Sequence, residues 1–117
     1  MVRVIGSRDC GNSPKNQFAQ EIGVALECGN FLADAFPDEM VWERHDGTIE
    51  GPGAIKAALA ALTTPSTITV EHAITHGKVG AVSGRCTLPD GATRRFGHVL
   101  EFTSAKANQV ARIKSYS

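Results

Sequence analysis

The sequence predicts an α+β domain, with helices gathered early and strands late. Three observations carry that reading. Before Pro65 apolar residues recur mostly at spacings of three and four. After it the period drops to two and stays there. The late segments are also joined by short turn signals, which makes their pairing antiparallel and their order a meander.

The elements follow in order. Residues 1–12 read as an extended or poorly ordered lead-in. "SPKNQFAQEIGVALEC" places Phe18, Ile22, Ala25 and Leu26 on one stripe of an amphipathic helix from Ser13 to Cys28. Ser13 can accept a hydrogen bond from an amide near Asn16, and Pro14 fills the first helical position. Gly29 is the stop, since glycine takes the left-handed conformation without penalty. Asn30 then caps a short second helix, "FLADAF", which Pro37 ends. "EMVWERH" alternates as a strand and turns at Asp46-Gly47. "GPGAIKAALAALTT" is a third helix with Ile55, Leu59 and Leu62 on one face. Four strands complete the order α-α-β-α-β-β-β-β: "STITVEHAITH", "GAVSGRCTL", "TRRFGHVLEF" and "VARIKSY". Strict alternation along the first of these sets Ile68, Val70, His72, Ile74 and His76 on one face. Its opposite face, with Thr67, Thr69, Glu71 and Thr75, joins Ser83, Arg85 and Glu101 in a polar surface suited to a wet dimer interface.

With 117 residues the chain is long enough for one core, and nothing in composition marks a second domain. A 42% hydrophobic and 21% charged content is ordinary for a soluble globular protein and argues against disorder. Twelve basic residues balance twelve acidic ones, which disfavours nucleic acid or an anionic membrane as partner. No stretch approaches the roughly 18 apolar residues of a membrane span, and the first ten residues hold too short an apolar run for a secretory signal. Three widely spaced cysteines, with no zinc pattern, fit reduced thiols in a cytoplasm.

The element order, with "DEMVWERHDGTIEGPGAIKAAL" joining the first strand to the third helix, resembles the nuclear transport factor 2-like (NTF2-like) superfamily. Within it the chain is similar to SnoaL-like proteins, the branch that includes polyketide cyclases. The matching motifs are the acidic-apolar-Trp strand at Asp38–Trp42, the helix start at Gly51–Ile55 and the late strand Phe96–Phe102. The resemblance implies a cone-shaped single domain, a homodimer formed through the outer sheet face, and a pocket between the curved sheet and the helices. It implies no particular reaction, because one fold hosts many chemistries.

The candidate pocket residues are Trp42, Arg44, His72, Cys86, Phe96 and His98. His98 alternates with Phe96, Leu100 and Phe102, so an ionisable ring sits among apolar neighbours on the inner face. Such an imidazole can act as base or hydrogen-bond donor near neutral pH, and His98 is the candidate catalytic group. It can equally be a core histidine satisfied by one hydrogen bond. The resemblance implies an Asp acid/base at an equivalent late-strand position, where this chain carries His98. Arg44 lies near the strand position where related isomerases place an Asp base, and an arginine cannot serve as one. Trp42 and Arg44 share a strand face, a flat apolar wall beside a cation suited to a planar or anionic ligand. They can also be a core tryptophan and a rim arginine paired with an acid. His72 is a wall residue, and no carboxylate on its face makes a metal site with His98. Cys86 faces inward as an inert thiol. No cofactor or metal is expected. The expected function is binding of a compact, apolar or aromatic small molecule. The alternatives are a cofactor-free cyclase, isomerase or dehydratase using His98, and a dimerisation domain with a filled pocket.

Overall fold

The computed structural model describes residues 2–116. A seven-stranded sheet runs in the order β1 (Arg3–Ile5), β4 (Thr67–His76), β5 (Val79–Thr87), β6 (Thr93–Phe102), β7 (Val110–Tyr116), β2 (Val41–Arg44), β3 (Gly47–Glu50). Helices α1 (Pro14–Cys28) and α2 (Pro52–Ala60) complete the α+β domain. The pairs β4–β5, β5–β6, β6–β7 and β2–β3 are antiparallel, while β1–β4 and β2–β7 are parallel.

The start and stop of α1 form as the sequence predicts. Ser13 Oγ accepts from the Asn16 amide at 3.2 Å, and Gly29 closes the helix at φ 78° with its amide on the Ala25 carbonyl. The helix lies across the concave face with Ile22 and Leu26 buried. Its closest approach is at Gly23, where a Cβ would lie 2.6 Å from a Val82 methyl. Gly84 plays the matching part in the sheet: a Cβ there would run into the Thr69 carbonyl and lie 2.9 Å from the Phe96 ring. Two apolar clusters fill the space between sheet and helices. The larger one surrounds Ile22, Leu26, Trp42, Leu59, Leu100 and Ile113, and the smaller one surrounds Ile68, Val70, Val82, Cys86 and Phe96.

Four expectations need correcting. Among the described residues there are two α-helices, not three, because "FLADAF" makes a single turn rather than a helix. Six residues before a proline are too few to offset the nucleation cost. The turn is pinned from outside, its Ala35 carbonyl accepting from the Val110 amide at 2.9 Å. Second, the Asp46-Gly47 turn closes a hairpin, with Trp42 opposite Ile49 and Val41 opposite Glu50, so β3 is an extra strand. Asp-Gly between strands is a hairpin signal in its own right. Third, the lead-in is extended at Arg3–Ile5, which forms an edge strand, but Arg8–Cys10 forms a 3-10 turn.

The fourth correction concerns β4. Its register shifts between Val70 and His72, a β-bulge at Glu71. Upstream, Ile68 and Val70 point into the core. Downstream, Ala73 is fully buried and Thr75 donates to Asn16 Oδ1 of α1 at 2.7 Å. His72, Ile74 and His76 therefore face away from the core, and Thr75 leaves the outer face.

Candidate functional site

Three inner-face rows meet at the end of the sheet beneath the last turn of α1. Arg94, Phe96 and His98 alternate inward along β6. Ser115 of β7 lies directly opposite His98, and Trp42 and Arg44 of β2 continue the same face. The last turn of α1 brings Leu26 and Glu27 over these residues. Between them is an open cavity of about 210 Å³, walled by Leu26, Trp42, Leu62 and Phe96. Arg44, His45, Arg94, Arg95 and Tyr116 contribute to its polar lining.

The cavity has a polar floor buried in protein. His98 is 4% exposed, and both of its ring nitrogens are engaged. Nε2 lies 2.8 Å from Glu27 Oε2, and Nδ1 lies 2.6 Å from Ser115 Oγ. Trp42 Nε1 donates to the same Ser115 Oγ at 2.7 Å. Because an indole nitrogen only donates, the serine oxygen is an acceptor there, and its own hydrogen is free for His98 Nδ1. A neutral ring carrying its proton on Nε2 then donates to Glu27. The chain Trp42→Ser115→His98→Glu27 runs in one direction with every group satisfied.

Glu27 is the residue on which this floor ends. Its Oε1 accepts from Arg94 Nε at 3.3 Å and from the Cys86 thiol at 3.5 Å. Burial would push the Glu27 carboxyl up. The hydrogen bond from His98, the attraction of the His98 ring whenever it is protonated, the charge of Arg94 and the Cys86 contact outweigh it, holding the carboxyl below its ordinary 4.5. Cys86 is affected the other way: burial first, then the Glu27 charge, push its thiol up to about 12. It is a structural thiol beneath the floor.

Of the sequence candidates, the structure brings together Trp42, Arg44, Phe96 and His98, with Cys86 beneath them. Phe96 stacks on His98 with centroids 5.6 Å apart, and the Arg44 guanidinium lies 4.9 Å over the Trp42 ring. His72 is not among them. The bulge turns it outward, its side chain is 73% exposed, and its Nδ1 lies 3.2 Å from Asp9 Oδ2. That carboxylate also accepts from the Ala73 amide at 3.0 Å, so Asp9 fastens the opening segment to the bulge. No group of three metal-ligating side chains occurs among the described residues.

Sequence reasoning missed Glu27, Arg94 and Ser115. Arg94 and Ser115 were within reach, since each keeps the inward parity of its strand. Glu27 belongs to a second stripe on α1, Gln20-Gly23-Glu27, which packs on the sheet although two of its members are polar.

No protein-family model matches the sequence, and no curated protein matches it either. Solved structures do. An NTF2-like protein of unknown function from Burkholderia xenovorans is 18% identical with a TM-score of 0.68, over 87% of this chain and 81% of that one. One from Mesorhizobium loti is 15% identical with a TM-score of 0.65, over 96% and 98%. A de novo designed protein with a curved β-sheet, 12% identical, reaches 0.69 over 88% and 84%. The fold is therefore the NTF2-like α+β fold.

Proposed function

We propose that this chain is a small-molecule-binding pocket protein of the SnoaL-like type, whose ligand is compact and largely apolar or aromatic. The observation that carries the reading is an open cavity with apolar walls above a floor whose polar groups are all paired. Pockets of this kind hold a ligand by shape and orient it with few polar groups. Trp42 and Phe96 line the concave face without filling it, which argues against the dimerisation domain with a filled pocket. Trp42 is the one tryptophan in the chain, so its fluorescence reports directly on the cavity. Titration with small aromatic and steroid-like compounds should change that emission saturably. A flat response to every compound would reject the reading.

The enzyme alternative draws support from the Glu27–His98 pair, since a carboxylate that orients an imidazole is a common acid/base arrangement. Against it, both ring nitrogens already have protein partners. His98 would reach a substrate only where Ser115 released Nδ1. Turnover of a bound compound by wild type, lost in His98→Ala but kept in Ser115→Ala while both variants still bind, would favour catalysis over binding alone.

The same reading includes a cytoplasmic homodimer joined through the outer sheet face. There Ala81, Ser83, Gly97 and Val99 lie between two sets of ion pairs. Glu71 joins Arg85 and Arg95 on one side, and Glu101–Lys114 and Glu43–Arg112 lie on the other. Sedimentation equilibrium that fits a monomer at every concentration would remove this part. No helix among the described residues is long and apolar enough to cross a membrane.

A further inference from the structure

We propose that the cavity is built for a compact aromatic carboxylate, gripped by Arg44; the proposal rests on the pocket reading above and names its ligand class. Three arginines line the cavity against one glutamate, and they are not equivalent. Arg94 is committed to the protein: Nε binds Glu27 Oε1, and its Nη atoms reach the Glu27 and Thr63 carbonyls. Arg95 is 76% exposed and paired with Glu71 outside the cavity. Arg44 differs from both. Only 22% of its side chain is exposed, yet its one ion pair is Nε to Asp46 Oδ1 at 3.8 Å, with an Asp46 side chain that is 60% exposed. Neither Nη of Arg44 has a hydrogen-bond partner among the described residues.

The stem of Arg44 is largely covered while its guanidinium nitrogens stay accessible with one loose partner, so a ligand can complete their pairing. Its two Nη groups form a fork that matches a carboxylate in bidentate geometry. The indole of Trp42 lies beneath it, 4.9 Å away, and extends as a flat wall. Glu27 offers no competing attraction, since Arg94 and His98 already hold it. Size limits the remainder of the ligand. A cavity of about 150 Å³ admits benzene, so 210 Å³ holds one six-membered ring with a small substituent. An aromatic monocarboxylate fills the walls with its ring and the fork with its charge.

The test compares three ligands of one shape: benzoate, benzamide and benzylamine. Affinities are read by calorimetry and by Trp42 fluorescence, on wild type, Arg44→Met and Arg44→Lys. Benzoate should bind at least about tenfold more tightly than benzamide, as a charge-assisted bidentate pair requires, and benzylamine should be excluded. Arg44→Met should erase the preference for benzoate while benzamide binding persists. Arg44→Lys, which keeps charge without the fork, should retain only part of it. Equal affinity of wild type for benzoate and benzamide would overturn the carboxylate proposal and leave the pocket reading standing. A benzoate preference that survives Arg44→Met would overturn the assignment to Arg44. Failure of all three compounds to bind would overturn the proposal, and the pocket reading falls with it only if the wider series of aromatic and steroid-like compounds also leaves Trp42 emission flat.

Discussion

Replacing His98 with alanine should cost this domain between about a fifth and two thirds of its stability. The side chain makes a 2.8 Å contact with a carboxylate that is only 10% exposed, a 2.6 Å contact with Ser115, and a stacked contact with Phe96. A hydrogen bond to a charged group contributes about 1.5–3 kcal/mol and a neutral one about 1, and the ring pair adds about 0.5–1.5. These combine to about 4 kcal/mol, within the 3–5 expected when a buried pair loses one partner. A chain of this length has about 6–18 kcal/mol in all, so the variant should fold and be measurable. Urea titrations with an unchanged slope give the difference from the midpoint. Glu27→Gln and the double variant complete a cycle, and a coupling of about 1–3 kcal/mol is expected for groups in one network. A loss below about 1 kcal/mol, or additive effects in the cycle, would refute the reasoning. Either would mean that Glu27 is hydrated in solution and that the floor is not a single network.

Three further outcomes follow from the same geometry. Because the Glu27 carboxyl titrates below its ordinary 4.5, its contribution is complete above that value and disappears as pH falls through the folded-state value. Wild type should therefore lose stability on acidification in that window, and Glu27→Gln should show a flatter profile, read from urea midpoints across pH. Thiol labelling of the native protein should modify Cys28, half-buried and slowed by burial and the Glu27 charge, while buried Cys10 and Cys86 react only after unfolding. Mass spectrometry of labelled peptides checks this, and native labelling of Cys86 would show that α1 lifts from the sheet. Gly84→Ala should destabilise by about 3 kcal/mol or more, since the added carbon meets backbone that cannot yield; thermal unfolding measures it.

Much of the fold was legible because each cue is local. Ser13-Pro14 and Gly29 bracket α1, and alternation marks β4 to β7 within a residue or so. Part of the site was legible for the same reason, since parity along one strand places Phe96 and His98 side by side. What escaped depends on contacts far apart in sequence. The partner of His98 is 71 residues away on a helix, and no periodicity encodes that meeting. The bulge is invisible too, because Glu71 reads as an ordinary outward residue until pairing with β5 leaves it without a counterpart. His72 was misplaced for that reason alone.

That single unpaired residue sets a reading frame. Everything in β4 after Glu71 is written one position out of phase with what precedes it, and the apolar side chains are arranged accordingly. Pairing β4 without the bulge while Glu71 stays would send Ile74 and His76 under α1 and Ala73 and Thr75 into solvent. Asp9 would then lose the amide on which it closes, and the opening strand its fastening. Removing Glu71 instead makes the strand regular with Ala73 and Thr75 still inward, so that deletion should be better tolerated than deletion of the buried Ala73, because strand length in β4 carries information that residue identity does not.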